Sequence, residues 1–209
     1  MTWLQGGPFL EISFLIELQS IQEILDALSE MKVEIVDDDI DEKIAAFNRG
    51  YLIDDENPQS NTMHTLNARL YVYLSRKRKA SLHINQVSSN ALMMNFVFYG
   101  SEFDALEWEQ VGIAADEMEQ FTKFLAELFA VYHFKVGGIA FEQDILSIFN
   151  CDEIYPDECY RMENVSPVIF LQKPITFIEL IWNEKYERLS NIPYEHQSVE
   201  PNGIFMKIK

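Results

Sequence analysis

The stretch "LNARLYVYLSRKRKASLHINQVSSNALMMNFVFY", residues 66–99, decides the fold. Apolar side chains alternate with polar ones through three successive runs, and this alternation indicates β-strands with one buried face. The runs are joined by "SRKRK" and "SSN", which are short enough to be hairpin connections. The stretch therefore predicts a three-stranded antiparallel meander with one apolar face that other elements must cover.

Before the meander, the sequence indicates one strand and one helix. Residues 8–16 alternate as a strand does, and Ser20 with Glu23 forms the S-x-x-E pattern of a capping box. The apolar spacing that follows predicts a helix of about 12 residues. The segment "DDENPQSN", residues 54–61, is typical of a polar connecting loop.

After the meander, periodicity changes several times. Residues 116–132 carry an apolar stripe at helical spacing, which predicts a helix buried through Phe121, Leu125 and Leu128. The remaining predictions are a strand at 136–141, a helical turn at "DILSIF", a short buried strand at "VIFL", a helix that begins at Pro174 and carries Ile178, Ile181 and Trp182, a loop at 191–202 and a closing strand at 203–209.

These elements predict an α+β fold, in which an antiparallel sheet containing the meander is covered by helices. Strands occur in runs with helices between the runs, whereas a doubly wound sheet would alternate strand and helix strictly. We expect a single domain over residues 1–209. A division into two parts near residue 61 or residue 99 is the alternative.

The composition is globular, with a large excess of acidic side chains. Aspartate and glutamate number 34 against 16 lysines and arginines, which gives a formal net charge of −18. Nucleic acids and anionic membrane surfaces would repel such a chain, so we expect neither as a partner. The charge favours a cationic partner, metal ions, or high solubility alone.

The chain is expected to be cytoplasmic. Residues 1–31 contain no lysine or arginine, so the basic start of a secretory signal is missing, and no apolar run reaches the length of a membrane-spanning helix. Cys151 and Cys159 are too few for a disulfide framework. We favour two free thiols, with a single bridge between them as the alternative.

The acidic run "DDDIDE" at 37–42 invites comparison with a calcium-binding loop. An EF-hand loop needs Gly at its sixth position and Glu at its twelfth, where this chain has Glu42 and Asn48. We therefore predict no calcium site here. The run is interpreted as the solvated start of a helix, where acidic side chains are favoured.

Catalytic and cofactor signatures are missing from the sequence. The four histidines lack metal-ligand spacing, Ser101 lacks the G-x-S-x-G context of a nucleophile, and Gly137 with Gly138 lacks the third glycine of a dinucleotide-binding loop. His83 is interpreted as a residue of the sheet surface. We predict no metal, no cofactor, and a binding protein rather than an enzyme.

Charge is distributed unevenly along the chain. No lysine or arginine occurs between Ala80 and Thr122, while residues 76–79 are four consecutive cations. The segment "SEFDALEWE", residues 101–109, places four carboxylates around two aromatic rings, an arrangement that suits electrostatic steering and apolar anchoring. We predict a partner-binding loop, with 152–158 as a second acidic contribution; its residues are Glu102, Phe103, Asp104, Glu107, Trp108 and Glu109.

The alternative for the two rings is that they pack the loop onto the core. In that case Phe103 and Trp108 would be buried and would have no part in recognition.

In overall character, the chain resembles the immunity proteins of bacterial polymorphic toxin systems. The likeness is carried by "FYGSEFDALEWEQVGI" (98–113) followed by "GGIAFEQD" (137–144), within residues 92–160. It implies a basic protein partner, such as a cationic toxin domain, that is neutralised by occlusion. It transfers no individual binding residue to this chain.

Three functional hypotheses follow. The first is an acidic binding or inhibitor protein that occludes a cationic partner. The second is a carboxylate- or metal-dependent hydrolase, which would need a deep pocket with converging carboxylates and shifted pKa values. The third is a structural subunit that self-associates, although the sequence indicates no oligomeric state.

Overall fold

Strands dominate the computed structural model, which describes residues 3–53, 62–151, 156–172 and 175–209. The strands are β1 (Phe9–Glu17), β2 (Val33–Ile35), β3 (Tyr51–Leu52), β4 (Thr62–Met63), β5 (Thr65–Tyr73), β6 (Lys77–Ser88), β7 (Ala91–Tyr99), β8 (Val136–Phe141), β9 (Glu179–Asn183), β10 (Glu195–Val199) and β11 (Gly203–Lys207). The helices are α1 (Ile21–Ser29), α2 (Ile40–Arg49), α3 (Met118–Tyr132) and α4 (Pro167–Gln172).

Within the described residues, nine strands form one antiparallel sheet in the order β10-β11-β9-β8-β1-β7-β6-β5-β2, while β3 and β4 pair separately. Together with the helices this is the predicted α+β fold. The sheet takes strands from both sides of residues 61 and 99, and the single-domain assignment stays a prediction. The connecting loop predicted at 54–61 lies outside the described residues.

The predicted meander is confirmed as β5, β6 and β7. Tyr73 pairs with Lys77 across the first hairpin, and the second hairpin closes where Ser88 pairs with Ala91. The inner face of the meander is apolar and fully covered, through side chains that include Leu70, Leu82 and Phe96. The meander lies towards one edge of the sheet, with β1 beyond β7 on one side and β2 beyond β5 on the other.

The strand β1 joins the two parts of the sheet, because it pairs with β7 on one side and with β8 on the other. Its side chains alternate between two cores: Ile12 and Phe14 enter the core with α1 and α3, and Leu15 enters the core on the opposite face. A Cβ added to Gly137 of β8 would lie 2.6 Å from the Cβ of Phe14. This glycine therefore allows β1 and β8 to pack closely at this point.

The helix α3 covers the inner face of the meander. The Phe121 ring meets the Phe98 ring edge to face at a centroid distance of 5.2 Å, and the Phe124 ring meets Phe96 in the same way at 5.5 Å. A 3-10 turn at Ala115–Glu117 precedes the helix. The predicted helix is confirmed, and its expected core positions are all buried: Phe121, Leu125 and Leu128.

The carboxyl-terminal predictions are partly wrong. The "VIFL" run is helical within α4, because Pro167 occupies the helix start, where its missing N–H costs nothing. The predicted helix carrying Ile181 and Trp182 is instead the strand β9; these two neighbours point into opposite cores, so both faces are apolar and the strand loses its alternation. The predicted loop at 191–202 contains β10, and Pro174 lies outside the described residues.

The first helix begins where the sequence predicts, but without its capping box. Ser20 precedes α1 in extended conformation, and its side chain makes no capping hydrogen bond. The helix is also shorter than expected, with nine residues. Burial of Ile21, Ile24, Leu25 and Leu28 against the sheet stabilises it in place of the cap.

The acidic run at 37–42 was interpreted as solvated, but its first residue, Asp37, is buried. The Asp37 side chain accepts hydrogen bonds from the backbone N–H of Arg69 at 2.7 Å and from its guanidinium, and an ion pair from Lys43 at 2.7 Å. Burial alone would raise the pKa of Asp37, but these partners lower it. The carboxylate is therefore engaged by protein cations and joins α2 to the sheet.

The free-thiol preference for Cys151 and Cys159 is wrong, because the two residues form a disulfide with a Cα–Cα distance of 6.1 Å. Cys159 is held in place because the N–H of Asp157 donates to Val87 of the sheet and the Asp157 side chain caps the 3-10 helix at Glu158–Tyr160. A spacing of eight residues gives no indication of this bridge. Disulfides persist mainly in oxidising compartments, so the cytoplasmic location stays a prediction. Across the described residues, no helix is long and apolar enough to cross a membrane.

We expect Leu125→Asp to lower the free energy of unfolding by more than about 4 kcal/mol, because a charge would enter the core without a partner. Val131→Asp on the exposed side of the same helix is the matched control, with a loss of less than about 1 kcal/mol. Urea unfolding followed by circular dichroism measures both. Equal stability of Leu125→Asp and the parent would show that this core is assigned incorrectly.

Candidate partner-binding loop

The segment after β7, residues 101–113, is called here the acidic loop, and its backbone closes on itself. The N–H of Ile113 donates to the carbonyl of Ser101 at 2.7 Å, and the N–H of Gly112 donates to Asp104 Oδ1 at 2.8 Å. Only glycine fits at position 112, because a Cβ there would lie 2.6 Å from the carbonyl oxygen of Glu102. The loop is therefore a closed structure with a defined shape.

Arg78, at the start of β6, fixes the backbone of this loop through hydrogen bonds to its carbonyls. Its guanidinium is buried and donates to the carbonyls of Val111 at 3.0 Å and Gly112 at 3.3 Å, and to Glu117 Oε2 at 2.7 Å. Because a guanidinium is a planar group with several donors, one side chain can bind two carbonyls and a carboxylate together. The basic hairpin between β5 and β6 therefore holds the acidic loop in position.

Glu117 balances the buried charge of Arg78. Its carboxylate also accepts from Arg76 Nε at 2.7 Å and from the backbone N–H of Ala114 at 2.9 Å. Burial alone would raise the pKa of Glu117, but the hydrogen bonds from Arg76, Ala114 and Arg78 outweigh it and lower the pKa to about 2. The carboxylate is therefore ionised at neutral pH.

Two large apolar side chains project from the acidic loop into solvent. Phe103 and Leu106 are each 78% exposed, so Phe103 does not pack the loop onto the core. Leu106 was not among the predicted site residues. No local pattern in the sequence indicates its exposure, which follows from its position at the start of a 3-10 turn, Leu106–Trp108.

Trp108 has a mixed role. It is 38% exposed, and its ring lies against Gly6, where an added Cβ would be 3.2 Å from the indole. The amino-terminal segment is held beside it by a reciprocal pair of 2.7 Å hydrogen bonds between the side-chain amide of Gln110 and the backbone of Gln5. One edge of the indole therefore packs on protein, and the other lines an open groove of about 670 Å³ with Trp3.

Two of the four predicted carboxylates have partners in the protein, and two do not form ion pairs. Asp104 is used in closing the loop, and Glu109 Oε2 lies 3.2 Å from Lys79 Nζ. Glu102 and Glu107 are exposed, and neither forms an ion pair within the part of the chain that the structure describes. These two carboxylates carry the charge that the loop presents to solvent.

The basic hairpin and the acidic loop are separate in sequence and adjacent in space. Arg76 and Arg78 bind Glu117, and Lys79 binds Glu109. The interpretation of segregated charge is therefore wrong for this region, since three hairpin cations neutralise part of it. What stays unpaired is a smaller acidic surface around Phe103 and Leu106.

The described residues of the second acidic segment, 156–158, are not part of this surface. Residues 152–155 lie outside the described residues, and Glu158 binds Arg161 and Ser89. Asp157 reaches the sheet at Val87, eight residues along β6 from Lys79, which is about 26 Å at roughly 3.3 Å per residue. The acidic loop and Asp157 therefore lie at opposite ends of this strand.

The other residues considered for chemistry have structural roles or stand alone. Ser101 Oγ accepts from the N–H of Phe103 at 3.1 Å and so shapes the loop. His83 lies half-buried on the sheet, where burial lowers its pKa. Across the described residues, no three His, Cys, Asp or Glu side chains are grouped as metal ligands would be. Ser101 and His83 lie in different elements, the acidic loop and β6.

Comparison with known proteins gives no match to a family model, to a curated protein or to a solved structure.

We expect Glu117→Gln to lower the free energy of unfolding at pH 7 by about 3 kcal/mol, because Arg78 would keep its buried charge without a counter-charge. The pKa of Glu117 is about 2 in the folded state and near 4.5 in the unfolded state, so the unfolded state takes up the proton first as pH falls. The stabilisation is therefore complete above about pH 4.5 and declines towards about pH 2.

Urea unfolding at pH 7, 5 and 3 measures this difference, with Asp116→Asn as the matched control on the neighbouring exposed carboxylate. A constant difference between Glu117→Gln and the parent at all three pH values would contradict the ionic role of Glu117.

Proposed function

We propose that the protein is a binding protein whose acidic loop docks on a basic protein surface and occludes it. The observation that carries the proposal is the display of Phe103 and Leu106, both 78% exposed, on a loop whose other side is fixed by buried bonds. Single exposed apolar residues are common on protein surfaces, but two on one closed loop form an anchor of the kind that interfaces use.

The fixed backbone of the loop supports a docking role. Binding by a mobile segment loses affinity because the segment must first be ordered. In the acidic loop, Arg78 holds the backbone from below and Asp104 closes it from within. The apolar anchors are therefore already in position before a partner arrives.

Charge decides the chemistry of the partner. Glu102 and Glu107 flank the anchors without a cation of their own, and the chain as a whole carries a formal charge of −18. A basic surface would be attracted at long range and would pair with these carboxylates around the apolar contact. An acidic or nucleic-acid partner would be repelled.

An immunity-type role fits this chemistry. Toxin domains that act on nucleic acids present basic clefts, and an acidic loop with apolar anchors could fill such a cleft. Glu107 and Glu109 line the open groove beside Trp108, but the exposed anchors Phe103 and Leu106 lie outside it, which favours occlusion over hydrolysis. We therefore prefer the inhibitor hypothesis to the hydrolase.

The partner is identified as a basic protein that the parent chain captures and that the double variant Phe103→Ala/Leu106→Ala does not capture. The test is to measure binding kinetics with this protein. We expect association to slow markedly from low to physiological salt, because exposed charges are screened over about 8 Å. Glu102→Lys/Glu107→Lys should lower the association rate about tenfold. Loss of either anchor should instead raise the dissociation rate, with a cost of about 2 kcal/mol.

Glu195→Lys/Glu200→Lys is the matched control, because it changes the net charge equally on exposed residues at the β10 edge of the sheet. The proposal fails if this control slows association as much as the loop variant does. It also fails if the two anchor variants, shown by circular dichroism to be folded, bind as the parent does.

A further inference from the structure

A second site stands at the other end of β1, built around the buried side chain of Lys135. Lys135 is 4% exposed and directly precedes β8, where its N–H donates to Leu15 and its carbonyl accepts from Asn183, both at 2.9 Å. These bonds fix the backbone, so the position of the side chain follows from the sheet. A lysine this deeply buried is rare unless its charge is matched.

The ammonium of Lys135 is only partly matched. It donates to the carbonyl of Met162 and lies 5.7 Å and 5.3 Å from the ring centroids of Trp182 and Tyr186. An ammonium has three N–H donors, and no carboxylate of the described residues lies within ion-pair distance of this one. Burial lowers the pKa of Lys135, with the charges of Glu187 and Glu163 acting in the opposite direction.

The side chain lines a cavity of about 800 Å³. Met162 and Val165 supply buried apolar surface, while Glu17 and Glu187 are exposed at its mouth. This volume is in the range of pockets for small molecules, which combine apolar walls with a few polar groups. The cavity therefore has one cation at its base and two carboxylates at its opening.

A third carboxylate at the cavity, that of Glu163, already has a cationic partner. Glu163 accepts from Asn90 at 2.8 Å and from Arg161 at 2.6 Å, and these bonds lower its pKa to about 2. Glu17 accepts from the hydroxyl of Tyr186 at 3.1 Å, and within the described residues neither Glu17 nor Glu187 forms an ion pair. The charges free to act on a ligand are thus Lys135 inside and Glu17 with Glu187 outside.

We propose that this cavity binds a free α-amino acid, with its carboxylate on Lys135 and its ammonium between Glu17 and Glu187. A simple anion would suit Lys135 but would meet two carboxylates at the mouth. A simple cation would suit the mouth and would leave Lys135 without a counter-charge. A small zwitterion satisfies both ends, and its side chain would contact Met162 and Val165.

This inference is independent of the proposed function. The acidic loop follows Tyr99, which pairs with Phe9 at the start of β1, and the cavity is lined by Glu17 at the end of that strand. Eight residues of extended chain separate the two ends, about 26 Å at roughly 3.3 Å per residue. Variants at one site therefore leave the other site intact.

The experiment measures thermal unfolding with each of the standard amino acids at about 10 mM, followed by calorimetry with those that stabilise. A dissociation constant near about 1 mM would raise the melting temperature by about 4 °C. For the best binder, the matching acid without the amine and the matching amine without the acid are expected to bind at least about tenfold more weakly, because each loses one charged contact.

Lys135→Met should abolish binding, and Lys185→Met is the matched control, because Lys185 is an exposed lysine beside Tyr186 that does not line the cavity. Glu187→Gln changes only an exposed residue and should shrink the preference for the zwitterion over the amine-free acid. The proposal is overturned if no amino acid stabilises the protein, if the amine-free acid binds equally well, or if folded Lys135→Met binds as the parent does.

Discussion

The buried contact between Arg78 and Glu117 is the interaction on which the acidic loop depends. Removing two charges from water is costly, and the contact compensates because further hydrogen bonds engage both groups, from Arg78 to two loop carbonyls and to Glu117 from Arg76 and Ala114; within the described residues, Arg78 Nε has no hydrogen-bond partner. Replacing Glu117 alone would leave the charge of Arg78 buried without a counter-charge. The contact therefore fixes where the loop lies relative to the meander, and with it the direction in which Phe103 and Leu106 point.

The sheet gives the molecule two separate candidate sites. Strand ends are where backbone groups leave the ladder, so loops and clefts form there on a rigid support. The acidic loop follows β7 beside the first residue of β1, and the Lys135 cavity lies near the last residue of β1. The first candidate site displays apolar side chains to solvent, and the second is a cavity with a buried lysine.

The sequence was most informative where one face of an element is apolar and the other polar. This condition holds for β5, β6 and α3, and each was predicted. It fails for β9, where Ile181 and Trp182 enter opposite cores, and periodicity could not distinguish a strand from a helix there. Site residues divided in the same way: the charged and aromatic positions of the loop were evident, whereas Leu106 and Lys135 became notable only through exposure and burial that no local pattern encodes.

The reciprocal amide pair between Gln5 and Gln110 ties the segment from Trp3 to Gly6 to the acidic loop. Trp3 bonds to the carbonyl of Ala80 and Gly6 supports the indole of Trp108, so this segment braces one side of the loop. Inherited changes there could alter the tilt of the loop while every side chain that the loop exposes stays the same. If the loop docks as proposed, selectivity could in this way diverge between related chains whose exposed surfaces are identical.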